Sequence, residues 1–316
     1  MTSRHAQQGL ALITAMLVFS IVAAISAYLI LGQQVWLRQT QNLFDRNRAD
    51  SMRHAGLDWI AMLLTRDAKD NTTDHLGEAW ATSYPPLPFE GGTMTVAITD
   101  AQSRFNLNNL VLANGQRDVN QVNAFRRLLQ SLALDPALAE AVVDWIDADS
   151  TPSAGGAEDN EYLSMPTPYR AANQPLTSVD ELRLIKGFDA KTVEKLRAYV
   201  VALPGTTAIN INTASEFVIA AAFTDMSPAI VKQFIAGRET EPFKDLSRLP
   251  PGQQQQVTLA VATSYFLVQI DIVFGRSRRS TLALIQRTTD GKPARVLWHH
   301  PLYPKLQSDE DKQEKS

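Results

Sequence analysis

The chain has 316 residues, 45% of them hydrophobic, with 30 Lys and Arg against 33 Asp and Glu and a formal net charge of −3. That is enough apolar material for one or two ordinary domain cores, too much for wholesale disorder, and a charge balance that exerts no pull on a polyanion. Cysteine is absent, which excludes a disulfide framework, a thiolate zinc site and a thiol nucleophile.

From Leu10 to Leu31 the sequence is almost wholly apolar, and no Asp, Glu, His, Lys or Arg falls between His5 and Arg38. As a helix this run is long enough to cross about 30 Å of hydrocarbon. A secretory signal peptide with Arg4 and His5 as its basic end is one reading. The length of the run, the lack of a small-x-small site after it and the helix-forming residues from Gln33 to Asp50 favour a segment retained after processing. Gly9 stands at the border between the polar leader and the apolar run, where a peptidase on the cytoplasmic face could cut.

Downstream, Ala49, Met52, Ala55, Ile60 and Leu64 recur at near-helical spacing, which predicts that the helix continues to about Asp67 with one face covered. A loop with Pro85, Pro86 and Pro88 follows, and Gly91-Gly92 turns the chain into a strand over Thr93 to Thr99. Three more strands are predicted at Tyr265 to Phe274, Ser280 to Arg287 and Ala294 to His299, the last two joined at the hairpin signal Asp290-Gly291. Between the strand groups the pattern is helical, with Phe125, Leu128, Leu129 and Leu132, then Leu138, Val142, Val143 and Ile146. The expected fold is α+β: a long N-terminal helix packed on an antiparallel sheet, with a large all-α domain inserted between strands. The expected divisions are a leader (1–9), a membrane or filament-core helix (10–31), the first part of the α+β body (32–118), the helical insertion (119–262), the returning sheet (263–304) and a solvated tail (305–316).

The segment Asp144-Trp145-Ile146-Asp147-Ala148-Asp149 runs through Gly155-Gly156 to Glu158-Asp159-Asn160-Glu161. Carboxylates this dense repel one another and raise one another's pKa unless a cation or ordered donors offset them. Calcium takes six to eight oxygen ligands and tolerates a glycine-bearing loop, although the spacing is not that of an EF-hand; a solvated acidic loop is the other reading. Leu176 to Val200 and Ile209 to Leu249 look like degenerate copies of one unit and resemble helix-hairpin-helix modules, which grip phosphates through hairpin amides. Here the second hairpin, Thr224-Asp225-Met226-Ser227-Pro228, lacks glycine and adds a carboxylate, and the first follows Gly187 with Asp189. Nucleic-acid binding is therefore not expected, and a scaffold for protein contacts is. No Gly-x-Ser-x-Gly elbow, His-Glu-x-x-His helix or Gly-Lys-Ser/Thr loop occurs, so neither catalysis nor a small-molecule substrate is expected. The tryptophans Trp59, Trp80 and Trp145 are expected to anchor cores.

Arg4, Gly9 and Leu10 resemble the leader of type IV pilins and type II secretion pseudopilins, which is cut after the glycine by prepilin peptidase, the new N-terminus then being methylated. Thr14 stands at the fifth mature position, where most of that superfamily has glutamate. The K subunit of type II secretion typically lacks it, and the stretch Ser103-Arg104-Phe105-Asn106-Leu107-Asn108, the acidic loop and the returning strands are similar to that family as well. The resemblance implies a minor pseudopilin at the pseudopilus tip beside the I and J minor pseudopilins, with H and the major pseudopilin as further neighbours. It further implies an inner-membrane anchor, a periplasmic body and structural Ca2+, with Asp147, Asp149, Glu158 and Asp159 as ligands and Asn160 as a weaker candidate. The alternative is a pilin-like DNA-uptake component whose helical modules bind DNA.

Overall fold

A computed structural model describes residues 3–224, 226–249, 254–288 and 292–302, with side chains from Leu12 onward. The helix α1 runs without a break from Ser3 to Asp70. Its first half exposes Leu12 to Leu37 along the whole circumference, and it is long and apolar enough to cross a membrane. Its second half buries a stripe of Ala49, Leu57, Ile60 and Leu64. Met52 and Ala55, expected on that stripe, lie outside it in solvent; Gly56 takes the contact instead. A Cβ on Gly56 would come within 2.9 Å of the Met94 sulfur, so the helix approaches the sheet through its missing side chain.

The proline-bearing segment expected as loop contains the short edge strand β1 (Leu87–Phe89), which hairpins into β2 (Gly92–Asp100). Pro88 is tolerable there because an edge strand need not donate its amide to a ladder. The chain then leaves the sheet through a long, mainly helical insertion. This comprises β3 (Phe105–Asn106), α2 (Val119–Ser131), α3 (Leu138–Ile146), α4 (Asp159–Leu163), a 3-10 helix (Val179–Leu184), α5 (Ala190–Leu196) and β4 (Val200–Val201). It continues through β5 (Ile209–Asn210), α6 (Glu216–Ala222), β6 (Phe223–Thr224), α7 (Pro228–Thr240), β7 (Gln254–Gln255) and β8 (Leu259–Ala260). The three short strand pairs within it, β3 with β4, β5 with β8 and β6 with β7, are absent from the sequence pattern because none exceeds two residues.

The chain returns as β9 (Tyr265–Phe274), β10 (Ser277–Gln286) and β11 (Arg295–Leu302), giving an antiparallel sheet in the order β1-β2-β9-β10-β11. β9 is the central strand and is covered on both sides. Its even-numbered residues Phe266 to Phe274 pack under α1, while Tyr265 and Leu267 meet Ala101, Val201 and Leu203 from the insertion. This period-2 division between two cores ties the insertion to the body. The fold class is the α+β arrangement expected. Trp80 and Trp145 are buried, but Trp59 is 38% exposed on the face of α1 turned from the sheet and anchors no core. The expected turn Asp290-Gly291, Asp225 of the second hairpin and the tail 305–316 lie outside the described residues.

Asparagines hold the insertion together, and they do so twice. The side-chain oxygen of Asn106 accepts the amide of Asn108 (3.2 Å), and that of Asn210 accepts the amide of Asn212 (3.0 Å). Asn108 clasps the backbone of Leu176, accepting at 2.8 Å and donating at 2.9 Å; Asn212 clasps Phe243 at 2.8 and 2.9 Å. Phe105 to Asn108 thus corresponds to Ile209 to Asn212, and Leu176 to Phe243. The internal equivalence has a different register from the one read in sequence between Leu176 to Val200 and Ile209 to Leu249. The first unit also carries about thirty residues between α3 and Leu176 where the second has only a short turn after α7. The acidic loop lies in that extra segment.

Candidate metal centre

α3 delivers Asp144 and, at its C-cap, Asp147 to the start of the loop. Asp144 is fully buried, and its Oδ2 accepts the amide of Ser153 at 3.0 Å. The loop folds back so tightly that a Cβ on Gly156 would sit 1.9 Å from Asp144 Oδ2. Only glycine fits, which gives the Gly155-Gly156 pair its reason. The return brings in Glu158, which precedes α4. One carboxylate oxygen each from Asp147, Asp149 and Glu158 lies within 4.8 Å of the other two.

What distinguishes the cluster is its lack of partners. Asp147 Oδ1 and both carboxylate oxygens of Glu158 are buried with no hydrogen-bond donor, as are Asp144 Oδ1 and the side-chain oxygen of Asn173. Buried polar atoms are ordinarily paired, so five orphaned oxygens around one loop single it out as a candidate cation site. Burial, reinforced by the neighbouring carboxylates Asp149 and Asp144, pushes Asp147 up to about 6. Burial first, then Asp147, Asp144 and Asp149, pushes Glu158 up to about 7. The nearby guanidinium of Arg117 is already paired with Glu140 at 3.0 Å, and Arg126 bonds the same carboxylate. The donor set is all oxygen, with flexible loop carboxylates and an amide, which suits calcium rather than zinc. Trp145, Tyr162 and Tyr169 pack edge and face beneath the loop. Burial raises the Tyr162 hydroxyl to about 12.

Of the expected ligands, Asp147, Asp149 and Glu158 are brought together and Asp159 and Asn160 are not. Asp159 Oδ1 accepts the amide of Ala171 at 3.0 Å, and its other oxygen lies 3.5 Å from Arg170, so it closes the loop's return rather than facing the cluster. Asn160 is exposed on α4. Asp144 and Asn173 were missed as contributors. Asp144 carries a signal in its place one helical turn before Asp147. Asn173, far along the chain from Asp144, carries none; it is tied to the loop by a 3.2 Å bond from its amide nitrogen to the carbonyl of Asp149.

The first hairpin, similar to modules that grip phosphate but not expected to do so here, makes contacts within the chain. The Lys186 amide donates to the Tyr162 hydroxyl (3.4 Å), and its ammonium pairs with Glu161 (3.1 Å). In the second unit Ser227 caps α7, with Pro228 at its first position. Gly9 and Leu10 lie within α1, where only the backbone is described.

A mostly exposed apolar half-helix, continued by a half that packs on an antiparallel sheet, defines a pilin-like subunit, here enlarged by a helical insertion. Two models of type II secretion system protein K match residues 103–205 and 209–269, which divides the insertion at the second asparagine pair. The chain is 37% identical to the type II secretion system protein K of Pseudomonas aeruginosa over 92% of its own length and 91% of the relative's. It is 32% identical to that of Pectobacterium carotovorum, covering 89% and 94%. The crystal structure of the GspK-GspI-GspJ complex from enterotoxigenic Escherichia coli contains a chain that superposes with a TM-score of 0.69 at 26% identity, covering 84% of this chain and all of that one. The chain belongs to the type II secretion system protein K family, whose members are minor pseudopilins, structural components of the secretion machinery.

Proposed function

We propose that this minor pseudopilin caps the type II secretion pseudopilus, in complex with the I and J minor pseudopilins. Its body would stand in the periplasm and its α1 in the inner membrane. The observation that carries the reading is full-length similarity to protein K together with the superposition on a chain solved in complex with GspI and GspJ. The exposed apolar half of α1 supplies the anchor and, after assembly, the packing surface toward neighbouring helices, among them those of H and the major pseudopilin. A bulky insertion on top of the sheet suits a subunit with nothing stacked above it. The role is structural rather than catalytic, and it serves export of folded proteins across the outer membrane.

Cleavage by prepilin peptidase between Gly9 and Leu10, with methylation of the new N-terminus, would expose an amine at the start of α1. A bulkier residue at Gly9 should leave uncut precursor in the inner membrane; efficient processing of that variant would overturn the leader assignment. Calcium held by Asp147, Asp149 and Glu158, with Asp144 and Asn173 beside them, would neutralise the loop and clamp it in a chain that has no disulfide. The test of the whole reading is co-purification of the part from about Gln33 onward with the soluble domains of I and J, with and without a calcium chelator. A ternary complex weakened by chelation supports both the tip and the metal. No complex under either condition defeats the tip assignment and returns DNA uptake as the reading to test.

A further inference from the structure

The end of the body nearest the apolar helix carries a collar of arginines that neither the metal centre nor the sheet packing uses. The turn between β9 and β10 lies against α1 where the helix emerges. A shallow groove of about 270 Å³ there is lined by Asn42, Asp45 and Arg46 of α1 and by Arg276, Arg278 and Arg279 of the hairpin. The hairpin is fixed in place. The Gly275 amide donates to Gly91 of the adjoining turn at 3.2 Å, and Arg48 lies over the Phe274 ring, 5.6 Å from its centroid. All four groove arginines are exposed, and among the described residues none of them forms an ion pair. One carboxylate, Asp45, faces four guanidiniums, in a chain whose formal net charge is −3.

The position of the collar along α1 selects its partner. The apolar skin of the helix continues through Val35, Trp36 and Leu37, all more than half exposed, to Arg38, the first charged residue after the apolar run; beyond it Leu43 and Phe44 are again exposed. Tryptophan at such a border is the usual anchor at a membrane interface. At about 1.5 Å per residue, Asn42 to Arg46 stand about 6–12 Å beyond Arg38. A headgroup layer is about 5–8 Å deep on each side of the hydrocarbon, so extended arginine side chains reach it from that height. Guanidinium forks match phosphate oxygens two at a time.

We propose that Arg46, Arg276, Arg278 and Arg279 form a docking collar for the phosphate headgroups of anionic phospholipids, seating the body on the membrane before the subunit joins a filament. The proposal rests on α1 being the membrane anchor. Filament entry would then exchange lipid phosphates for other neighbours, so the collar would also set how readily the subunit leaves the bilayer.

The test reconstitutes the full chain in phosphatidylcholine vesicles carrying a trace of spin-labelled phosphatidylglycerol or spin-labelled phosphatidylcholine, and compares the fraction of each immobilised at the protein. The expected result is a several-fold preference for phosphatidylglycerol that is screened by sodium chloride, falls to parity in the R276Q/R278Q/R279Q variant, and is largely kept when the same three positions are lysine. Parity in the unaltered chain, or a preference unchanged in the glutamine variant, overturns the proposal. Parity in the unaltered chain together with loss of pseudopilin binding in the glutamine variant would make the collar a protein contact instead. Inorganic phosphate that abolishes the preference at an ionic strength where sodium chloride does not would mark a free-anion site instead. A chain that fails to enter vesicles at all shows that the anchor reading has failed, an outcome visible before any lipid preference is measured.

Discussion

Among the described residues three carboxylates gather in two places, and the two gatherings have opposite fates. In the body, Asp67 and Asp74 close on Arg287, with Glu78 beside them, three carboxylates close enough together to hold an ion. Arg287 is 5% exposed, bonds Asp67 at 2.5 Å and Asp74 as well, donates to the Thr263 carbonyl at 2.7 Å, and lies 4.8 Å over the Phe266 ring. Glu78 accepts from the Trp80 ring nitrogen (2.7 Å), Asn71 and the His75 amide. In the insertion, Asp147, Asp149 and Glu158 meet with no such cation, and the buried oxygens of Asp147 and Glu158 are left without donors. Proximity of carboxylates is therefore not what marks a metal site. The first cluster holds a guanidinium from the residue after β10, with only Asp74 Oδ1 and Arg287 Nε left without partners there; the second, in the proposed reading, takes its counter-charge from solution as calcium.

Four changes test that contrast, beginning with the strongest. Arg287→Gln should destabilise the body by about 3–5 kcal/mol in urea unfolding, because it strands buried carboxylates, and calcium should not restore it. A loss below about 1 kcal/mol would mean that the cluster is not held by its arginine.

Next, calcium at about a hundredfold over its Kd should stabilise the chain by about 2.7 kcal/mol, and Glu158→Gln should erase most of that gain. In calcium-free buffer at pH 8 the same variant should be more stable than the unaltered chain, since it removes a buried, unpaired charge. Calcium-dependent stabilisation that survives this variant would move the ion elsewhere.

The pH dependence follows with its sign. Asp147 and Glu158 are raised to about 6 and about 7, so between about pH 4 and 7 the folded chain holds protons that the unfolded chain has released. Without calcium, these groups make stability fall as pH rises through that window and level off above it. Saturating calcium should reverse the trend, because binding displaces those protons. Thermal unfolding at pH 5 and pH 8, with and without calcium, shows either the reversal or its failure.

The smallest effect is expected from Asp159→Asn. Its carboxylate serves an amide and an exposed arginine, so stability should drop by less than about 1 kcal/mol and calcium affinity should hold. A tenfold weaker affinity would restore Asp159 to the ligand set.

Much of the architecture is written in local pattern. The uninterrupted apolar run, the alternating strands and the helical spacing from Phe125 onward each repeat over enough residues to declare their element, and the acidic loop from Asp144 to Glu161 stands out by charge density, the choice of Asp147, Asp149 and Glu158 within it coming from the family resemblance. Where the reading slipped, a contact between distant segments decided. Met52 and Ala55 gave way to Gly56 because the sheet pressed against the helix there. Asp159 left the ligand set because Ala171 and Arg170 met it. Two-residue strands such as β5 and β8 exist only as pairs.

The sequence by itself determined the membrane-length helix, the α+β class, the absence of covalent staples and the acidic loop, since each depends on composition or short periodicity. Only the tertiary structure decided which carboxylates gather without a counter-charge, which are answered by Arg287, and which asparagines clasp which backbones. Those outcomes turn on residues as distant as Asp67 and Arg287 meeting in a low-dielectric interior, where the position of one counter-charge outweighs any local propensity.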